Sequence, residues 1–205
     1  MEQQITPTRS NLLQTREMLA LAREGHEILD KKREVLTTTL LEVAQQAQEQ
    51  QATLQAALSA AYAALAKARQ ALGREQLEWV TLAIPKNFSV DITLHSIMGV
   101  AIPTVAAHGE PPEIAYGPGD TSVALDEAVA QFRAALALLP ETTATLTTVW
   151  RLARELQKTQ RRVNALQHVL IPRYEAAVTC IENALEERER EETFRLKRLK
   201  RQQER

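Results

Sequence analysis

Counting in sevens from Leu12 gives Leu12, Leu19, His26, Arg33, Leu40, Ala47, Leu54, Ala61 and Ala68. Three places later run Thr15, Ala22, Leu29, Leu36, Val43, Gln50, Ala57, Ala64 and Ala71. Most of these are apolar, and a 3.5-residue period held this long is the seam of a left-handed coiled coil. After Pro7 this stretch has no proline and only Gly25 as a breaker. The pattern predicts one helix over residues 8–72, with Thr8 as its N-cap. At 1.5 Å per residue such a helix is on the order of 100 Å long.

A second seam runs from Leu146, with Leu146, Ala153, Gln160, Gln167, Tyr174 and Ile181 on one line. Val149, Leu156, Val163, Leu170, Ala177 and Ala184 form the other. This predicts the partner helix within a C-terminal helical segment over residues 122–203, kinked near Pro140 and Pro172, where a backbone donor is missing. Cys180 falls at helical spacing between Ala177 and Ala184 and is expected to be buried.

Between the helices the composition changes. Residues 73–121 hold five of the eight prolines and five of the six glycines and read as a small, irregular head. Alternation of Phe88, Val90, Ile92 and Leu94, then a second β-prone run after Met98 and Gly99, predicts a hairpin over about residues 88–105. Residues 108–120, rich in proline and glycine, read as an exposed loop. The predicted class is therefore all-α dominated: a long antiparallel two-helix coiled coil with a small irregular or β-hairpin head.

If both helices leave this head together, residues whose numbers sum to about 194 face each other. Arg33 then falls opposite Gln160 and Arg161, His26 opposite Gln167 and His168, and the alanines of residues 57–71 opposite those of residues 128–137. The polar interruptions coincide, which predicts matched polar layers.

Composition supports the rod. Aromatic residues make up 4% of the chain and glycines number six, too few for an ordinary compact globule but ample for long helices. Net charge is −1, so no general attraction to nucleic acid or to an anionic membrane is implied. The start, residues 1–8, lacks a basic then apolar layout, and no run approaches eighteen apolar residues, so the expected location is the cytoplasm. There is no phosphate-binding glycine loop, His26, His95, His108 and His168 are scattered, and exposed carboxylates such as Asp126, Glu127, Glu186 and Glu187 have no pocket. No cofactor, metal or catalytic residue is expected.

Two basic features stand out. Lys31, Lys32 and Arg33 fall level with Arg161 and Arg162, forming a collar, and Arg195, Lys197, Arg198, Lys200, Arg201 and Arg205 lie on a C-terminal tip that outruns the N-terminus. Each charge taken alone is ordinarily a solvated helix face. Like charges gathered at one level suit an acidic surround. Nucleic-acid binding by the tip is disfavoured, because Phe194 is its only aromatic residue and residues 186–192 are largely acidic.

Specific strings carry a resemblance. Pro7, Thr8 and Arg9, then Asn11, Leu12 and Leu13, Gly25, and residues 29–36 with Lys32 and Arg33 resemble the N-terminal signature of the D subunits of V-type and archaeal A-type rotary ATPases and ATP synthases. Arg161, Arg162, Val163, Asn164, Ala165 and Leu166, then Ile171 and Pro172, and the acidic residues 187–192 followed by Phe194, Arg195, Leu196, Lys197 and Lys200 resemble the C-terminal stretch of that family. The resemblance implies a non-catalytic central-stalk rotor inside the ring of catalytic A and B subunits, coupling ATP synthesis or hydrolysis to proton or sodium translocation. Its implied partners are the ring, the small F subunit and the socket subunit above the membrane ring, with the complex peripheral on the cytoplasmic side. By position, the hairpin residues Phe88, Val90, Ile92, Leu94, Ile97, Ile102 and Val105 are then expected to meet the F subunit. Without these strings, a structural or adaptor tether unrelated to rotary motors is the reading that periodicity favours.

Overall fold

The computed structural model describes residues 6–83, 88–108 and 121–203. Helix α1 runs over Arg9–Leu72 and α2 over Arg74–Ala83. Strands β1, Ser89–Ile97, and β2, Val100–His108, pair antiparallel. Helix α3, Val123–Ala165, passes through a π-helical turn at Leu166–Leu170 into α4, Ile171–Gln203. Most of the predicted exposed loop, residues 109–120, lies outside the described residues.

The ends of α1 follow from its sequence. The Thr8 hydroxyl accepts a hydrogen bond from the Asn11 N–H at 3.2 Å, capping one of the donors that a helix start leaves unsatisfied. At the other end Gly73 adopts φ +81° and its N–H donates to the Arg69 carbonyl at 3.1 Å. That left-handed stop is cheap only for glycine. It redirects the chain into α2, a helix that the irregular composition of the head did not announce.

The chain divides into two compact units, Leu36–Leu156 and the pair of segments Met1–Val35 with Gln157–Arg205. Within each, α1 runs antiparallel to the returning helix. In the Leu36–Leu156 unit one apolar cluster joins Ala64 and Ala68 of α1 to Val80 of α2 and to Leu125 and Ala128 of α3. The small alanines let the helices approach closely there, as the facing alanine runs predicted. A second cluster joins Leu36 of α1 and Leu152 of α3 to Val100 and Ile102 of β2. The hairpin is thus laid against the helix pair and held by burial. The Arg151 guanidinium adds a 2.8 Å hydrogen bond to the Ala101 carbonyl. Met98 (φ 51°) and Gly99 (φ 80°) make its turn, the paired positive φ values that a two-residue type I′ hairpin demands.

Every buried residue of α1 lies on one of the two predicted heptad lines: Ala22, Leu36, Ala47, Ala61, Ala64 and Ala68. The returning helix departs from expectation by one residue on one of its two lines, while Val163 on the other is buried as expected. Leu152 and Thr159 are buried where Ala153 and Gln160 were expected, yet Ile181 is buried as expected. The π turn explains this. Its wider winding, seen as the Ile171 N–H bonding to the Leu166 carbonyl five residues back, inserts one residue, so the inward line steps from Thr159 and Leu166 to Tyr174 and Ile181. Pro172 lies one residue beyond, where a regular helix would lack a donor. The expectation that Cys180 is buried is corrected: Ile181 takes the inward position beside it, and Cys180, on neither heptad line, is exposed.

Pro140 lies inside the continuous α3. The expected layer of His26 with Gln167 and His168 does not form: the latter two are exposed on the π turn, and His26 Nε2 is buried without a hydrogen-bond partner among the described residues.

Candidate functional site

The surfaces available for function are set by which faces the two helices leave outside. At the collar the Arg33 guanidinium reaches the Gln160 side-chain oxygen at 3.5 Å, the residue beside Arg161, so the five basic residues do share one level. Lys31, Arg161 and Arg162 are exposed, and Lys32 and Arg33 are half-buried. The sign is not uniform. Arg33 also pairs with Asp30 at 2.7 Å, which holds its guanidinium against α1, and the charge exposed at this level is that of Lys31, Arg161 and Arg162.

Three ion pairs that the count of apolar positions did not anticipate bind α1 to α4: Arg9–Glu189 at 2.6 Å, Arg16–Glu182 at 2.5 Å and Arg23–Glu175 at 2.6 Å. All three arginines are on α1 and all three glutamates on α4, each set at heptad spacing, so the signal was in the sequence. Side chains this exposed contribute only about 0.2–1 kcal/mol each. Their value is register, because sliding one helix by a turn would separate all three at once. They sit about one helical turn from the level at which facing residue numbers sum to about 194.

The Arg9–Glu189 pair and an Arg188 hydrogen bond to the Pro7 carbonyl at 2.8 Å place the start of α1 beside residue 189. From Arg190 on, α4 therefore continues without α1 alongside. Its Arg195, Lys197, Arg198 and Lys200 are exposed, as are Phe194, Leu196 and Leu199.

Pairing of Val90 with Ala107, Ile92 with Val105 and Leu94 with Pro103 puts these side chains on one hairpin face. Val90, Ile92 and Leu94 are exposed there, Ile92 by 65%. The opposite face carries Asp91 paired with His108 at 3.1 Å and His95 bonded to Thr104 at 2.8 Å. Ile97 and Ile102 belong to this second face and are taken up in packing on the helices, while Phe88 is half-buried just before β1. Of the seven predicted contact residues, Val90, Ile92 and Leu94 thus form the outward apolar set, with the half-buried Val105 on the same face.

Among the described residues no group of three or more histidines, cysteines, aspartates or glutamates is placed to hold a metal ion, and no helix is long and apolar enough to cross a membrane.

Comparison with known proteins decides what this arrangement belongs to. The family model for the ATP synthase D subunit matches residues 11–201. The chain belongs to this family of ATP synthase D subunits. It is 39% identical to the V-type ATP synthase D subunit of Thermotoga neapolitana, over 96% of this chain and 97% of that one. It is 36% identical to the A-type ATP synthase D subunit of Methanopyrus kandleri, over 96% and 85%. The V-type D subunit of Thermus thermophilus is 37% identical, over 96% and 88%. Similarity over nearly the whole length includes the hairpin and α2, so membership extends beyond the two helices that carried the resemblance.

Proposed function

We propose that this D subunit is the non-catalytic rotor shaft of a V/A-type ATP synthase, coupling ATP synthesis or hydrolysis in the ring of catalytic A and B subunits to proton or sodium translocation. The observation that supports it most is the combination of family membership with two long antiparallel helices whose interior is packed and whose surface is asymmetric. A shaft biases surrounding sites only by contacting them differently as it turns, and uneven charge and apolarity around a helix pair supply that difference. In this reading the helices stand within the ring, the head meets the socket subunit, and the complex is peripheral on the cytoplasmic side of the membrane.

The collar of Lys31, Lys32, Arg33, Arg161 and Arg162, whose charge is presented outward chiefly by Lys31, Arg161 and Arg162, meets acidic or carbonyl-rich loops of the ring. Replacing all five with glutamine is expected to lower ATP-driven ion pumping per ATP about fivefold or more, the lower end of ordinary coupling energies. Unchanged pumping and unchanged torque in single-molecule rotation would overturn this role. The basic tip, Arg195 to Lys200, makes a second contact further along the shaft.

The apolar hairpin face of Val90, Ile92, Leu94 and Val105 sits against the F subunit. Exposed aliphatic side chains on a small two-stranded sheet have no internal reason to be there. Substituting Ile92 and Leu94 with serine leaves the attached face intact and is expected to strip the F subunit out of the purified complex. Full retention of the F subunit in that double variant would refute the contact.

A further inference from the structure

A groove of about 320 Å³ lies between α1, α2 and α3 in the Leu36–Leu156 unit. Its walls include Leu77 and Val80 of α2 and Leu125, Val129, Phe132 and Leu136 of α3. Phe132 is held edge-on by Tyr62 of α1, with ring centroids 5.4 Å apart, so this wall is fixed. Arg133 also lines the groove, and its Nε and Nη2 are buried with no hydrogen-bond partner among the described residues. Donors of a permanently charged guanidinium are costly to bury unpaired, because water has been removed and nothing has replaced it. An apolar trough with one unsatisfied cationic fork in it lacks a specific complement: aliphatic side chains together with a carboxylate.

The dimensions indicate what carries them. From Leu125 to Leu136 the lining runs along three turns of α3, about 16 Å at the usual helical rise. A lining that long, open along one side, suits an amphipathic helix laid between helices better than a small molecule enclosed on all sides. We propose that this groove is a docking site for an amphipathic helix of a neighbouring subunit, whose apolar face fills the trough and whose aspartate or glutamate forms a paired hydrogen bond with Arg133. Arginine presents two parallel donors to a carboxylate, which fixes the orientation of the incoming helix as well as holding it. The inference rests on the reading that the chain works inside a multi-subunit complex, and it assigns a site where that reading gives only a head.

The test uses the whole complex, isolated through a tag on a catalytic subunit, and the full chain alone. Retention of the wild-type chain is measured first. Its absence from the complex would sink the rotor reading itself, separately from the docking site. With retention established, Arg133→Met is expected to raise or preserve the melting temperature of the isolated chain, since an unpaired buried charge is removed, while the chain dissociates from the complex at least tenfold faster. Arg133→Lys keeps the charge without the fork and falls between. Val129→Glu, one helical turn before Arg133, supplies the missing carboxylate from within. It is expected to stabilise the isolated chain and still block docking. A photo-crosslinker in place of Thr81 at the groove should capture a segment with an acidic residue among apolar ones. A destabilised Arg133→Met chain, unchanged dissociation of the Arg133→Met and Val129→Glu chains, or a captured segment without an acidic residue would each overturn the proposal.

Discussion

Removing Gln45 from α1 is expected to cost the fold on the order of 5 kcal/mol or more, about the whole stability of a small domain, whereas removing His168 should cost less than about 1 kcal/mol. Both residues are exposed and neither is part of a buried contact, so composition alone gives no reason for a difference. The reason is phase. A deletion turns everything after it by roughly 100° about the helix axis. At Gln45 this takes Ala47, Ala61, Ala64 and Ala68 off the seam while Leu36 remains on it. At His168 the deletion removes the residue that the π turn accommodates. The inward line would then continue from Leu166 in unbroken sevens, with the residues now numbered Tyr174 and Ile181 still facing in. Thermal melts followed by far-ultraviolet circular dichroism will compare the two. Equal destabilisation would show that the π turn does not account for the one-residue step.

The second large effect is expected at Leu152. Its side chain is fully buried in α3 between Leu36 of α1 and the hairpin residues Val100 and Ile102. Leu152→Ala should cost about 2–5 kcal/mol, because the surrounding helices cannot close a cavity bounded by two other rigid elements. Its distinguishing signature is local. Each strand of the hairpin has only the other to pair with among the described residues, and the hairpin owes its place to this contact, so amide exchange across Val100–His108 should accelerate more than exchange near Ala64 and Ala68. Leu152→Met, which nearly conserves volume, should restore most of the loss. Uniform acceleration along the whole chain would mean that the hairpin is not separately anchored by Leu152.

The two sites differ in how much of them a sequence can reveal. The collar was readable because its five charges lie on regular helices, and helical spacing converts sequence number directly into height. The ion pairs of Arg9, Arg16 and Arg23 were equally accessible, since both partners repeat in sevens, although a count of apolar positions passes over them. The groove at Arg133 was not accessible in the same way. Leu77 and Val80 lie at helical spacing and could have announced α2, but nothing in that spacing says that α2 folds back beside α3 and removes water from a guanidinium. Such burial arises only when three segments distant in sequence meet.

The sequence by itself determined the helical seam of α1, the antiparallel return, the turn at Met98 and Gly99, and family membership. Each depends on periodicity, local backbone preference or an ordered string of residues, and all of these are local along the chain. Tertiary structure decided the rest: Ile97 and Ile102 face the helices while Ile92 and Leu94 face outward, Cys180 is exposed, and the inward line shifts at the π turn. A heptad count carries phase forward faithfully only while every turn has the same number of residues. One wider turn before Pro172 was enough to set one of the two upstream lines off the count by a residue.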